Sequence, residues 1–152
     1  MHSKFILKEL SRYNIGTYAD IIYRNALLYP AEEAFVYRNQ RITFAQYNQR
    51  VNNLICALTE LGAKKGDVLG ILSWNCLDYI DIFGAAMKGG FIASPFNPRL
   101  KEDELANLIN YSEATTLFAG SELIEAADRL KRQLPRVKRY IALEAAPAGS
   151  RP

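Results

Sequence analysis

Histidine is nearly absent: the chain has one, His2, beside its first residue. That removes His-based general acid or base catalysis and most zinc sites, and no nucleophilic side chain has a partner to activate it. Cysteine is scarce too. Cys56 and Cys76 fall on different expected elements without metal-ligand spacing, which predicts two reduced, buried thiols and an intracellular location. No apolar run approaches the ~20 residues of a membrane span. Phe5-Ile6-Leu7 meets Lys8-Glu9 at once, too short a run for a secretory signal, so the chain reads as cytoplasmic with no transmembrane segment. Charge of one sign is also lacking. A formal net charge of +3, with aromatic residues spread along expected helices and strands, argues against nucleic acid as a partner.

A glycine-rich phosphate cradle is missing as well. Gly62-Ala63-Lys64-Lys65-Gly66 has the glycines of a phosphate loop, but a Walker loop needs Lys-Ser or Lys-Thr after the second glycine, and Asp67 stands there. It reads as a turn. No strand is followed by the glycine fingerprint of a dinucleotide-binding domain.

What is present is an ordinary globular composition. The 152 residues are 49% hydrophobic and 23% charged, and a domain of this length buries roughly 70% of the surface its unfolded chain exposes. Thr17-Tyr18-Ala19-Asp20 is a capping box opening a helix over 18–28, ended before Pro30. Glu33–Tyr37 and Arg41–Phe44 flank Arg38-Asn39-Gln40 as a hairpin, with Asn39 suited to positive φ. Thr43-Phe44-Ala45-Gln46 is a second capping box, and Val51, Leu54, Ile55, Leu58 and Leu61 make one apolar helix face that Gly62 closes. Val68–Leu72 is a continuous apolar run, the mark of a parallel strand covered on both faces. Asn75 with Asp78 caps a helix reaching about Lys88. Helices over 101–110 and 121–134 and strands over 115–119 and 140–143 complete an α/β order: a largely parallel sheet flanked by helices, with an N-terminal β-hairpin.

The stretch Met87–Leu100 organises the rest. Gly89-Gly90 stops a helix, Phe91-Ile92-Ala93 reads as a short buried strand, and Pro95 and Pro98, unable to donate to a ladder, end it. Phe96-Asn97 then lies in a loop at the strand's carboxyl end, where open α/β sheets place their ligands. Trp74, after the Val68 strand, is a second candidate for lining such a cleft. Trp74, Pro95, Phe96 and Asn97 are the candidate site residues; no catalytic residue or metal ligand is assigned.

Lys88-Gly89-Gly90 through Pro95-Phe96-Asn97-Pro98-Arg99-Leu100 is similar to a segment of adenylate-forming enzymes, particularly acyl-CoA synthetases. The similarity continues through Glu104-Leu105, Ile109, Ser112-Glu113-Ala114 and Leu117-Phe118. Upstream, Ile42-Thr43-Phe44-Ala45-Gln46-Tyr47 resembles the family's Leu-Thr-Tyr-x-Glu-Leu-like motif, with Gln46 replacing Glu and Tyr47 replacing Leu. The match is colinear from about Tyr18 to Leu143. It implies the N-terminal part of an ATP-dependent fatty acid–CoA ligase, with residues 1–16 an extension, 17–143 an α/β subdomain and 144–152 a linker or frayed end. ATP, Mg2+ and coenzyme A are then the cofactors of the parent enzyme, none bound by this chain alone, because the phosphate loop, hinge and catalytic lysine of that family lie further along. Arg129, Lys131, Arg132, Arg136, Lys138 and Arg139 read as a solvated face, the alternative being a site for a coenzyme A phosphate. Two function classes remain: an inactive fragment whose partner is the rest of the ligase, or a non-catalytic module for self-association or partner binding through exposed apolar surface.

Overall fold

In a computed structural model the described residues are 16–143. His2, the Phe5 run and the terminal segments 1–15 and 144–152 lie outside them. Helix α1 is Tyr18–Leu28, β1 is Glu33–Tyr37, β2 is Gln40–Thr43 and α2 is Phe44–Glu60. They are followed by β3 (Val68–Leu72), α3 (Leu77–Gly89), β4 (Ile92–Phe96), α4 (Glu102–Tyr111), β5 (Thr116–Ala119), α5 (Ile124–Leu130) and β6 (Arg139–Ala142). Both expected capping boxes form. The Asp20 carboxylate accepts from the Thr17 amide at 2.9 Å, and Thr43 and Gln46 exchange amide bonds of 2.9 and 3.3 Å. Gly90 ends α3 in the left-handed region at φ 75°, as the paired glycines suggested.

Strands β4, β3, β5 and β6 form, in that order, a four-stranded parallel sheet, and β1 pairs antiparallel with β2 in a separate hairpin. Alternation along the strands divides the core. Leu69, Ile71 and Phe118 pack with Leu58 of α2 and with Ile82, Ala85 and Ala86 of α3. Leu72, Phe96, Leu117 and Ala119 face the other way, against Leu105, Ala106 and Ile109 of α4 and Ala127 and Leu130 of α5. A smaller cluster of Ile22, Ile42, Tyr47, Val51 and Leu77 seats α1 and the hairpin outside α2 and α3.

Several expectations are corrected. Pro95 does not end β4; it lies inside it, in register with Ile71. Nor is β4 buried: it is the sheet edge, with Ile92 54% exposed. The two corrections explain each other. The Ile92 amide donates to the Asp67 carbonyl at 3.0 Å, so residues 92, 94 and 96 turn their amide and carbonyl groups toward β3, and residues 93 and 95 turn theirs outward. Proline sits where the ladder needs no donor. At the opposite edge, Arg139 and Leu143 donate toward β5, which turns the backbone groups of Tyr140 and Ala142 away from the sheet with no strand partner among the described residues.

Positive φ in the hairpin falls on Arg38, at 56°, rather than Asn39, in a loop whose two central residues join Tyr37 to its partner Gln40. Cys76 rather than Asn75 is the N-cap of α3. The expected single helix over 121–134 is broken into a 3-10 turn at Ser121–Leu123, α5, and a second 3-10 turn at Lys131–Gln133. The thiols are not buried: Cys56 is exposed and Cys76 half-buried.

Candidate functional site

Strand order locates a crevice. From β3 the chain passes through α3 to β4 on one side, then through α4 across to β5 on the other, and through α5 to β6. The connections leaving β3 and β5 therefore diverge toward opposite faces of the sheet, and their carboxyl ends mark the switch point at which doubly wound folds hold ligands.

Ser73 and Gly120 form its floor. Ser73 is 7% exposed, and its hydroxyl donates to the Trp74 carbonyl at 2.8 Å. Gly120 holds β5's end to β3 through its amide, which donates to the Leu72 carbonyl at 2.9 Å. A Cβ on Gly120 would stand 2.8 Å from the Ser73 hydroxyl oxygen, so the two arms meet at contact distance.

The rim carries an aromatic ring and a cation. Trp74 is 44% exposed, and the Arg99 guanidinium lies 5.5 Å from the centroid of its ring, within cation–π range. Asn97 aims Arg99: its side-chain carbonyl accepts from the Arg99 amide at 3.1 Å and its backbone carbonyl accepts from the Leu100 amide at 3.2 Å. Pro98 fixes φ between them, giving an Asx turn. Trp74 and the Asn97 turn thus come together. Pro95 is exposed on the outer edge, while Phe96 is 6% exposed and turns its ring into the α4–α5 core, where it covers Gly70. Arg99, Ser73 and Gly120 were not among the residues singled out from sequence. Arg99 had a signal in Asn97-Pro98-Arg99, but pairing Ser73 with Gly120 requires knowing that β3 and β5 are neighbours.

Arg99 differs from four members of the basic run near the C-terminus. Arg129 pairs with Glu102 at 2.6 Å, Lys131 with Asp128 at 2.5 Å, Arg136 with Glu113 at 3.0 Å and Arg139 with Asp67 at 3.5 Å. Among the described residues Arg99 has no carboxylate partner. The buried charge among the described residues belongs to the packing of α2 on α3. Asp81, 6% exposed, accepts from Arg50 Nε at 2.8 Å; burial pushes its carboxyl up, against the opposing pull of Arg50.

The fit to the implied cofactors is limited. Among the described residues no three His, Cys, Asp or Glu side chains converge as a metal site. The Gly62–Gly66 turn closes on itself, the Lys64 amide donating to the Asp67 carboxylate at 3.1 Å and the Asp67 amide to the Lys64 carbonyl at 2.9 Å. It is a turn, as its sequence indicated. Among the described residues no helix is long and apolar enough to cross a membrane.

Comparison with known proteins agrees with this architecture. The model of the family described as AMP-binding enzyme matches residues 22–151. The long-chain-fatty-acid–CoA ligase FadD13 of Mycobacterium tuberculosis is 30% identical over 79% of this chain and 24% of its own length. A Rhodopseudomonas palustris structure described as a long-chain-fatty-acid CoA ligase superposes with a TM-score of 0.81 at 33% identity, covering 90% of this chain and 34% of that one. The N-terminal domain of FACL13 from Mycobacterium tuberculosis superposes with a TM-score of 0.78 at 27% identity, covering 83% of this chain and 33% of that domain. The chain spans about a quarter of the length of the curated relative FadD13. It belongs to the AMP-binding enzyme family and corresponds to part of the N-terminal domain of that family's acyl-CoA ligases.

Proposed function

We propose that this chain is a scaffold segment of an ATP-dependent acid–CoA ligase, acting in the cytoplasm on fatty acids, and that residues 17–143 are its α/β subdomain. In such an enzyme ATP activates the carboxylate as an acyl adenylate with release of pyrophosphate, and the acyl group passes to the thiol of coenzyme A. This chain's share is one wall of the cleft. The observation that carries the reading is the Arg99 guanidinium, unpaired by any described carboxylate and lying on the exposed Trp74 indole at the carboxyl end of the sheet. A planar cation on an aromatic face suits a ligand with an anionic group and an apolar or planar body. Trp74, Arg99 and Asn97 line it; Pro95 flanks it, and Phe96 supports it from below.

The test is pyrophosphate release with ATP, Mg2+, coenzyme A and a panel of fatty acids. The chain alone gives none, and turnover by it would overturn the assignment of the chemistry to residues outside this segment. In a longer polypeptide carrying the remainder of the ligase, turnover is expected, and Arg99→Ala raises KM by about tenfold or more, the loss of one charge-assisted contact. A second reading, a module for self-association, is favoured by the exposed apolar side chains Met87, Ile92, Leu108 and Tyr111. Sedimentation velocity separates the two: a mass that rises with concentration at physiological salt supports association.

A further inference from the structure

The Trp74 rim and the Ser73–Gly120 floor are mechanically joined. The Ser73 hydroxyl donates to the carbonyl of the residue whose ring Arg99 lies on. That hydroxyl also occupies the space a side chain at position 120 would fill, 2.8 Å from the place of a Cβ there. Gly120 has φ −59° and ψ 148°, a region open to any L residue. Its backbone therefore gives no reason for glycine; the room taken by Ser73 does, its hydroxyl oxygen 2.8 Å and its Cβ 3.3 Å from where a Cβ would stand. We infer that Ser73 and Gly120 are positioning residues acting in series: Gly120 keeps a space open, Ser73 fills it and holds the Trp74 peptide, and the held peptide presents the indole to Arg99. This deepens the reading of the site proposed above and rests on it.

The two effects expected of substitution follow from size. Gly120→Ala adds no backbone strain, so its consequence is displacement of the Ser73 hydroxyl from the Trp74 carbonyl. Ser73→Ala removes the same bond by deleting one oxygen, leaving the β-carbon and its packing. Because both changes break one link, the second adds nothing once the first has been made. Independent structural roles would instead add.

Trp74 is the only tryptophan, so its fluorescence reports the joint without a ligand. Iodide is an anion drawn to a neighbouring guanidinium, and acrylamide is neutral; the ratio of their quenching constants therefore measures how close Arg99 lies to the indole. The full chain is compared with Arg99→Gln, Ser73→Ala, Gly120→Ala and the Ser73→Ala/Gly120→Ala double variant, each checked by circular dichroism and thermal melting. The expected result is a high ratio for wild type and a low one for Arg99→Gln. Each single variant should cross at least half of that gap, and the double variant should fall no further than the lower single. Unchanged ratios in folded single variants, or additive losses in the double, overturn the inference. Should Gly120→Ala fail to fold, Ser73→Ala carries the test alone. A wild-type ratio equal to that of Arg99→Gln overturns the Trp74–Arg99 pairing itself, an outcome distinct from failure of the positioning link.

Discussion

Arg139 supplies what the C-terminus of α2 lacks. A helix leaves its last carbonyls without intrahelical donors, and here Arg139 Nε donates to the Leu61 carbonyl at 2.8 Å, another guanidinium nitrogen donates to Gly62, and a third donates to the Thr116 hydroxyl at 3.2 Å. Thr116 is 0% exposed. Arg139→Ala therefore strands several acceptors together, and a loss of about 2–3 kcal/mol is expected, read as a lower urea midpoint. Tyr47 gives a pH signature of the other sort. It is 7% exposed, donates to the Ile80 carbonyl at 3.2 Å, and burial, with the Asp81 charge adding, pushes its pKa up to about 12. The fold favours the neutral phenol, so this stability is fully present below the ordinary value near 10 and is lost as pH rises through about 12. Tyr47→Phe should remove roughly 2–3 kcal/mol of alkaline sensitivity between those limits, measured by denaturation at stepped pH. Side-chain roles of this kind were only partly legible. Thr17, Asp20, Thr43 and Gln46 act within one helical turn and could be read directly, whereas Arg139 was grouped with a solvated basic face because its acceptors lie 77 and 78 residues away.

Elements were easier to read than their neighbours. The helices of 18–28 and 44–60 were signalled by local capping and apolar periodicity, and Val68–Leu72 by its unbroken apolar run. Strand β4 runs through Pro95, because a proline excludes a residue from a ladder only when its nitrogen faces one. Pro95 faces outward, and that has a measurable result: an edge with one amide removed is a poor template for another strand. Pro95→Val should leave the circular dichroism unchanged and increase light scattering on incubation, as the outward donor returns. The interrupted segment after β5 was also hidden. Leu123, Ala127, Leu130 and Leu134 keep helical spacing, and all but Leu123 are buried, yet the backbone tightens to 3-10 geometry at both ends while keeping them against the sheet.

Across the whole molecule, the core is uneven. Strands β3 and β5 lie between two apolar clusters, whereas α1 and the hairpin rest on a smaller third one. Native-state hydrogen exchange should find the slowest amides in β3 and β5, with the hairpin opening at lower free energy and apart from the sheet. The α/β class and the hairpin could be read from element order, but the order of strands could not, since it depends on which crossover passes over which neighbour. The candidate crevice was legible only as Trp74 and the Asn97 loop, for the same reason. Sheet asymmetry has one more effect. With Pro95 removing one of the two outward amides of the β4 flank, and the Tyr140 and Ala142 amides both facing outward on the β6 flank, the β6 side of the described sheet is the better template for a further strand.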